Sequence, residues 1–140
     1  MNKNLVVDKM EIIKGYLKEL YPLLDLPDKE ILDDNLKLHS VERLFQLIVD
    51  EAIDINTYII SQKKFNVPSD YEGTFSILGQ NKVLDITFAL KIAPSVGLRN
   101  GIVHNYEKIS ASRMIDLIKN NIADYAEYLR QITAFLEKEQ

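Results

Sequence analysis

From about Ser40 to Gln62 the apolar residues Val41, Leu44, Phe45, Ile48, Ala52, Ile55 and Ile59 recur every three or four positions. That spacing gathers them on one face of a helix, whereas a half-buried strand would need strict alternation. Ser40 reads as the N-cap of this helix, with the charge of Glu42 in its first turn. The same rhythm governs most of the chain. Leu5, Val6, Met10, Ile13, Leu17 and Leu20 predict a helix from about Asn4 to Tyr21, stopped by Pro22. Met114, Leu117, Ile118, Ile122, Tyr125, Leu129, Ile132, Phe135 and Leu136 predict a last helix from about Ser110 to Lys138. Shorter pieces lie between. One follows Leu26-Pro27-Asp28 and carries Ile31 and Leu32, and one runs from about Glu72 to Leu78 after a polar loop from Lys63 to Asp70. Gly79-Gln80-Asn81 marks a stop and restart, and the helix over Val83 to Lys91 is interrupted by Pro94.

No segment alternates like a strand, and only five Gly and four Pro punctuate the 140 residues. The expectation is therefore a single all-α domain over residues 1–140, an antiparallel bundle of about five helices. The lack of any internal repeat argues against a helical solenoid. Such a chain can bury a core without staples, and having no cysteine it contains neither disulfides nor thiolate metal sites. That fits a reducing cytoplasm. The opening Met-Asn-Lys-Asn, with Asp8 and Glu11 close behind, lacks the apolar region of a signal peptide. No apolar run approaches a membrane span, so no membrane partner is expected. The net charge of −4 argues against broad, non-specific nucleic-acid binding and leaves room for a small local basic site.

The search for chemistry starts with exclusions. His39 and His104 are the only histidines, far apart, so no metal site is expected. Phosphate-cradling glycine loops and the nucleophile elbow of serine hydrolases are also missing. Asp50, Glu51 and Asp54 form a carboxylate cluster whose ordinary reading is a solvated helix face. Asp54 sits beside the apolar stripe, which suits a partly buried polar role. The stretch Arg99-Asn100-Gly101-Ile102-Val103-His104-Asn105-Tyr106 stands out. Gly97 and Gly101 share a helix face, so either something approaches the backbone closely there or Gly97 merely relaxes the chain after Pro94. Asn100 and His104, four apart, can face each other. Arg99 and His104 point to different sides of an ideal helix. Either the helix ends before His104, or a second copy of the site completes the constellation. Taken alone, His104 is more often a packed or capping histidine than a catalyst.

Arg99-Asn100-x-x-x-His104-x-Tyr106 resembles the R-x4-6-H motif of HEPN ribonucleases in its R-N-x-x-x-H-x-Y form. More closely, the chain is similar to the HepT toxins, partners of minimal nucleotidyltransferase (MNT, or MntA) antitoxins. Val41-Glu42-Arg43-Leu44 opening a long helix, Asp54 further along it, Val96-Gly97-Leu98 before the motif and the long C-terminal helix carry the likeness over nearly the whole chain. Leu98 departs from relatives that often carry an aromatic there. The resemblance implies a HEPN-like homodimer and a metal-independent endoribonuclease with no cofactor, whose two motifs form one composite cleft. His104 would be the acid/base and Arg99 the phosphate clamp, supported by Asn100 and Asp54. RNA would be met by local charges such as Arg99, Lys91, Lys108 and Arg113. The antitoxin would add AMP to Tyr106. The competing reading is a non-catalytic helical module that binds a nucleotidyltransferase partner or a nucleotide.

Overall fold

The computed structural model describes residues 1–104 and 109–140. These form eight helices and no strand among the described residues: α1 (Lys3–Leu24), α2 (Asp28–Leu32), α3 (Asn35–Lys63), α4 (Glu72–Gln80), α5 (Ile86–Ile92), α6 (Ser95–Val103), α7 (Ala111–Ile122) and α8 (Asp124–Lys138). No helix is long and apolar enough to cross a membrane. The helix α3 is the spine, with α1, α2, α4, α6 and α7 packed against it. Its stripe of Val41, Phe45, Ile48, Ala52, Ile55 and Ile59 is fully buried, facing Val6, Met10, Ile13, Leu17 and Leu20 of α1 among others.

Four boundaries differ from the sequence expectation, each for a local reason. Pro22 lies inside α1 rather than ending it. Within the last turn a proline deletes only one hydrogen bond, and on this exposed side the freed carbonyl is open to solvent, so the helix runs on until Leu24 is buried. The long helix starts at Asn35, not Ser40, because the Asp34 carboxylate accepts from Leu36 N at 3.0 Å and Lys37 N at 3.3 Å. Glu42 therefore sits well inside α3, half-buried, and burial pushes its carboxyl up against the opposing pull of His39. Val83 and Leu84 are buried in the turn before α5 rather than within a helix. The expected last helix is broken at Ala123, where the Asn121 side chain donates to Leu117 O at 2.7 Å and competes with the backbone ladder.

A buried polar chain ties three helices together. Tyr128 Oη of α8 donates to Asn56 Oδ1 of α3 at 2.6 Å, and Asn56 Nδ2 donates to Thr74 Oγ1 of α4 at 3.2 Å. Thr74 Oγ1 in turn donates to Tyr71 O at 2.6 Å. A second link joins α6 to α8, with Ser95 Oγ and Tyr125 Oη 2.7 Å apart and both residues buried. No buried side-chain polar atom is left without a partner among the described residues.

Candidate functional site

The nine residues of α6 carry the polar constellation. Val96 and Leu98 are buried, which fixes the helix roll and leaves Arg99 and Asn100 half-buried at the rim. Arg99 Nε donates to Asp50 Oδ1 of α3 at 2.7 Å, and Arg99 Nη1 donates to Asn100 Oδ1 at 2.9 Å. The guanidinium is thus held at one edge by a charge-assisted bond, with the Asp50 side chain 31% exposed and that of Arg99 19% exposed. Among the described residues Nη2 makes no hydrogen bond, which leaves its hydrogens for an anion. A planar, permanently charged fork suits a phosphate better than a lysine would.

The helix stops at His104, the C-cap, with φ −92° and ψ 3°. Its backbone N–H reaches Asn100 O at 3.0 Å, and the residue is exposed. The helical ladder thus persists up to the His104 N–H, and α6 ends at that residue. The glycine face is split. Gly101 is buried, whereas Gly97 is exposed and a Cβ there would meet nothing within 4 Å.

Asp54 does not join the arginine. Its side chain is 59% exposed and pairs with Lys9 Nζ of α1 at 3.4 Å, alongside Glu51 at the same distance. The carboxylate that serves Arg99 is Asp50, which sequence reasoning had assigned to a solvated face. The available signal was Arg99 itself: a half-buried guanidinium on a short helix requires an anion from a neighbouring element. Lys91 is paired with Asp124 at 3.3 Å, and Arg113 is exposed in the first turn of α7. Tyr106 and Lys108 lie outside the described residues. Among the described residues no group of three or more His, Cys, Asp or Glu side chains is placed to hold a metal ion.

Beside Asn100 opens a groove of about 830 Å³ between the C-terminal end of α3, the following loop and the start of α4. Sequence reasoning had placed only a polar loop here.

The sequence profile described as Ribonuclease HepT-like matches residues 13–132, which includes Asp50 and the whole of α6. The chain belongs to the HepT-like ribonuclease family. This HepT-like chain is 33% identical over 132 residues to the tRNA nuclease HepT of Aphanizomenon flos-aquae, covering 94% of this chain and 90% of that one. It is 22% identical over 131 residues to the mRNA nuclease HepT of Shewanella oneidensis, covering 94% and 98%. Its fold matches that of a tri-AMPylated Shewanella oneidensis HEPN toxin in complex with MNT antitoxin, with TM-score 0.84, 23% identity and coverage of 96% and 99%. An all-α HEPN fold is thereby established for the HepT-like chain, and eight helical segments build it.

Proposed function

We propose that this chain is a metal-independent endoribonuclease, acting in the cytoplasm as the toxin of a toxin–antitoxin pair whose antitoxin is a minimal nucleotidyltransferase. The observation that carries the reading is the held guanidinium: Arg99 anchored by Asp50 and Asn100, on a helix capped by His104. Nuclease relatives covering nearly the whole chain support it.

The chemistry follows from these side chains. The ribose 2′-OH attacks the adjacent phosphorus, and the P–O5′ bond breaks. His104 takes the 2′ proton or delivers one to the departing 5′ oxygen. Negative charge gathers on the non-bridging oxygens, where the Nη edge of Arg99 meets it with paired hydrogen bonds. The products are a 2′,3′-cyclic phosphate and a 5′-OH. One motif supplies one histidine, and a second copy brought across the bare backbone at Gly97 supplies the other. Gly97 stands seven residues before His104, so both fall on one face of the α6 direction. Regulation is assigned to Tyr106, two residues beyond His104. AMP on its phenol adds bulk and negative charge where RNA phosphate must bind.

The deciding experiment is controlled expression of this chain beside its His104→Ala form. Growth arrest with RNA breakdown in the first alone is the expected result, and intact RNA in both would refute the reading. Co-expression with the nucleotidyltransferase should add AMP mass to the chain and not to Tyr106→Phe.

A further inference from the structure

The groove beside Asn100 is not used by the phosphate chemistry, and its walls have a definite character. Thr57 and Ser61 line it from α3, Phe65, Val67 and Tyr71 from the loop, and Asn100 from α6. We infer that this groove is the subsite for a nucleobase of the RNA next to the scissile phosphate, stacked on the aromatic wall and read by the Asn100 amide. The inference rests on the ribonuclease reading above.

Asn100 makes the connection. Arginine only donates hydrogen bonds, so the Asn100 atom 2.9 Å from Arg99 Nη1 must be the carbonyl oxygen. The amide NH2 is then what Asn100 offers elsewhere, two donors suited to an acceptor on a base edge. One side chain thereby touches both the phosphate clamp and the groove wall, which sets the spacing of base and phosphate.

Charge and shape select the base over the phosphate for this space. The lining carries Lys64 against Asp70 and Glu72, a negative balance that repels a phosphate and tolerates a neutral ring. Tyr71 is 56% exposed and Val67 88%, an apolar surface that a stacked base would cover. At about 830 Å³ the groove lies in the range of small-ligand sites and admits a whole nucleoside.

The walls are also built rather than adaptable. Asp70 Oδ1 accepts from Gly73 N at 2.7 Å, and a Cβ on Gly73 would come within 2.9 Å of Pro68 Cβ, so the loop is seated directly on α4. Thr74, on the groove wall, is bonded through Asn56 to Tyr128 in the core. A preformed platform of this kind stacks a base without first ordering a loop.

The test compares the full-length chain with Tyr71→Ala, which trims an exposed ring, and Ser61→Trp, which fills the groove. Cut sites in total RNA are mapped, and kcat and KM are measured on short RNAs differing in one base beside the scissile bond. Both variants should raise KM roughly ten- to a hundred-fold and flatten the base preference. Their circular-dichroism unfolding midpoints should match the unaltered chain, and Tyr71→Ala alone suffices if Ser61→Trp misfolds. Asn100→Asp, which still accepts from Arg99 but has lost the donors, should change the preferred base. Variants that cut the same bases at the same KM overturn the inference and leave the nuclease reading standing. So does a loss of antitoxin binding with base preference unchanged, which would make the groove a protein interface. An unaltered chain that cuts no RNA overturns the nuclease reading itself. Quenching of 2-aminopurine in a short RNA, lost in Ser61→Trp, then tests the groove independently.

Discussion

Arg99 and His104 differ in how their positions are secured, and substitution should separate the two modes. Arg99→Ala and His104→Ala should each reduce RNA cleavage below detection with the helical circular-dichroism signal unchanged, and EDTA should have no effect on the unaltered chain. Activity lost in EDTA and restored by magnesium would show that the chemistry is misassigned. Asp50 acts through Arg99 and is a positioning residue. Asp50→Asn removes the charge that holds Nε, so the guanidinium loses its fixed aim. The expected result is a fall in kcat of about ten- to a hundred-fold with KM nearly constant. Asp50→Glu should recover part of it, and an equal fall in thermal stability for both variants would indicate a merely structural ion pair. At this scale the sequence showed the motif but not its support. Arg99, Asn100 and His104 stand within six residues at the end of one helix, and the family resemblance is what singled them out. Asp50 was not singled out, because it comes from a helix 49 residues away in the chain and looks like any rim carboxylate beside Glu51 and Asp54.

The elements were legible wherever apolar periodicity decided the matter, and less so where side chains compete with the backbone. Most of the stripes of α1, α3 and α8 are buried as read, because burial of a face dominates helix formation; Leu5, near the start of α1, is exposed instead, and Leu44 and Phe135 are half-buried. The start of α3 depended on the choice between two good caps, Asp34 and Ser40, and Asp34 is the one used, accepting from both Leu36 N and Lys37 N. Gly79 looked like a simple helix stop. It is instead the contact point of α4 and α5: an added Cβ would fall 2.7 Å from Ala89 Cβ and 3.3 Å from Ile86 Cα. Gly79→Ala should therefore destabilise the chain by roughly 1–2 kcal/mol, since overpacking outweighs the gain in helix propensity. Chemical denaturation measures this directly, and a more stable variant would show that the two helices can part at no cost.

At the scale of the whole molecule, fold class was open to sequence reasoning and assembly was not, because an interface adds no periodicity of its own. Light scattering at micromolar concentration should give twice the 16.1 kDa chain mass if two motif helices share a cleft. A strict monomer that still cleaves RNA would remove the composite site. Stability should also carry a signature at high pH. Burial pushes the phenols of Tyr125 and Tyr128 above their ordinary value of 10.0. The unfolded chain releases these protons first, so stability is intact below about pH 10 and declines as pH rises beyond it. Unfolding midpoints recorded across that range should fall, and Tyr128→Phe should fall less steeply. A flat profile would place both phenols in contact with water.

The bond between Ser95 and Tyr125 makes α6 a cantilever. Its root is clamped in the core at the first residue of the helix, and His104 sits at the opposite tip. A substitution at that exposed tip leaves the buried root and its hydrogen bond untouched. His104 can therefore be changed without disturbing what holds α6 in place, so His104→Ala should lose its chemistry and keep the unfolding midpoint of the unaltered chain.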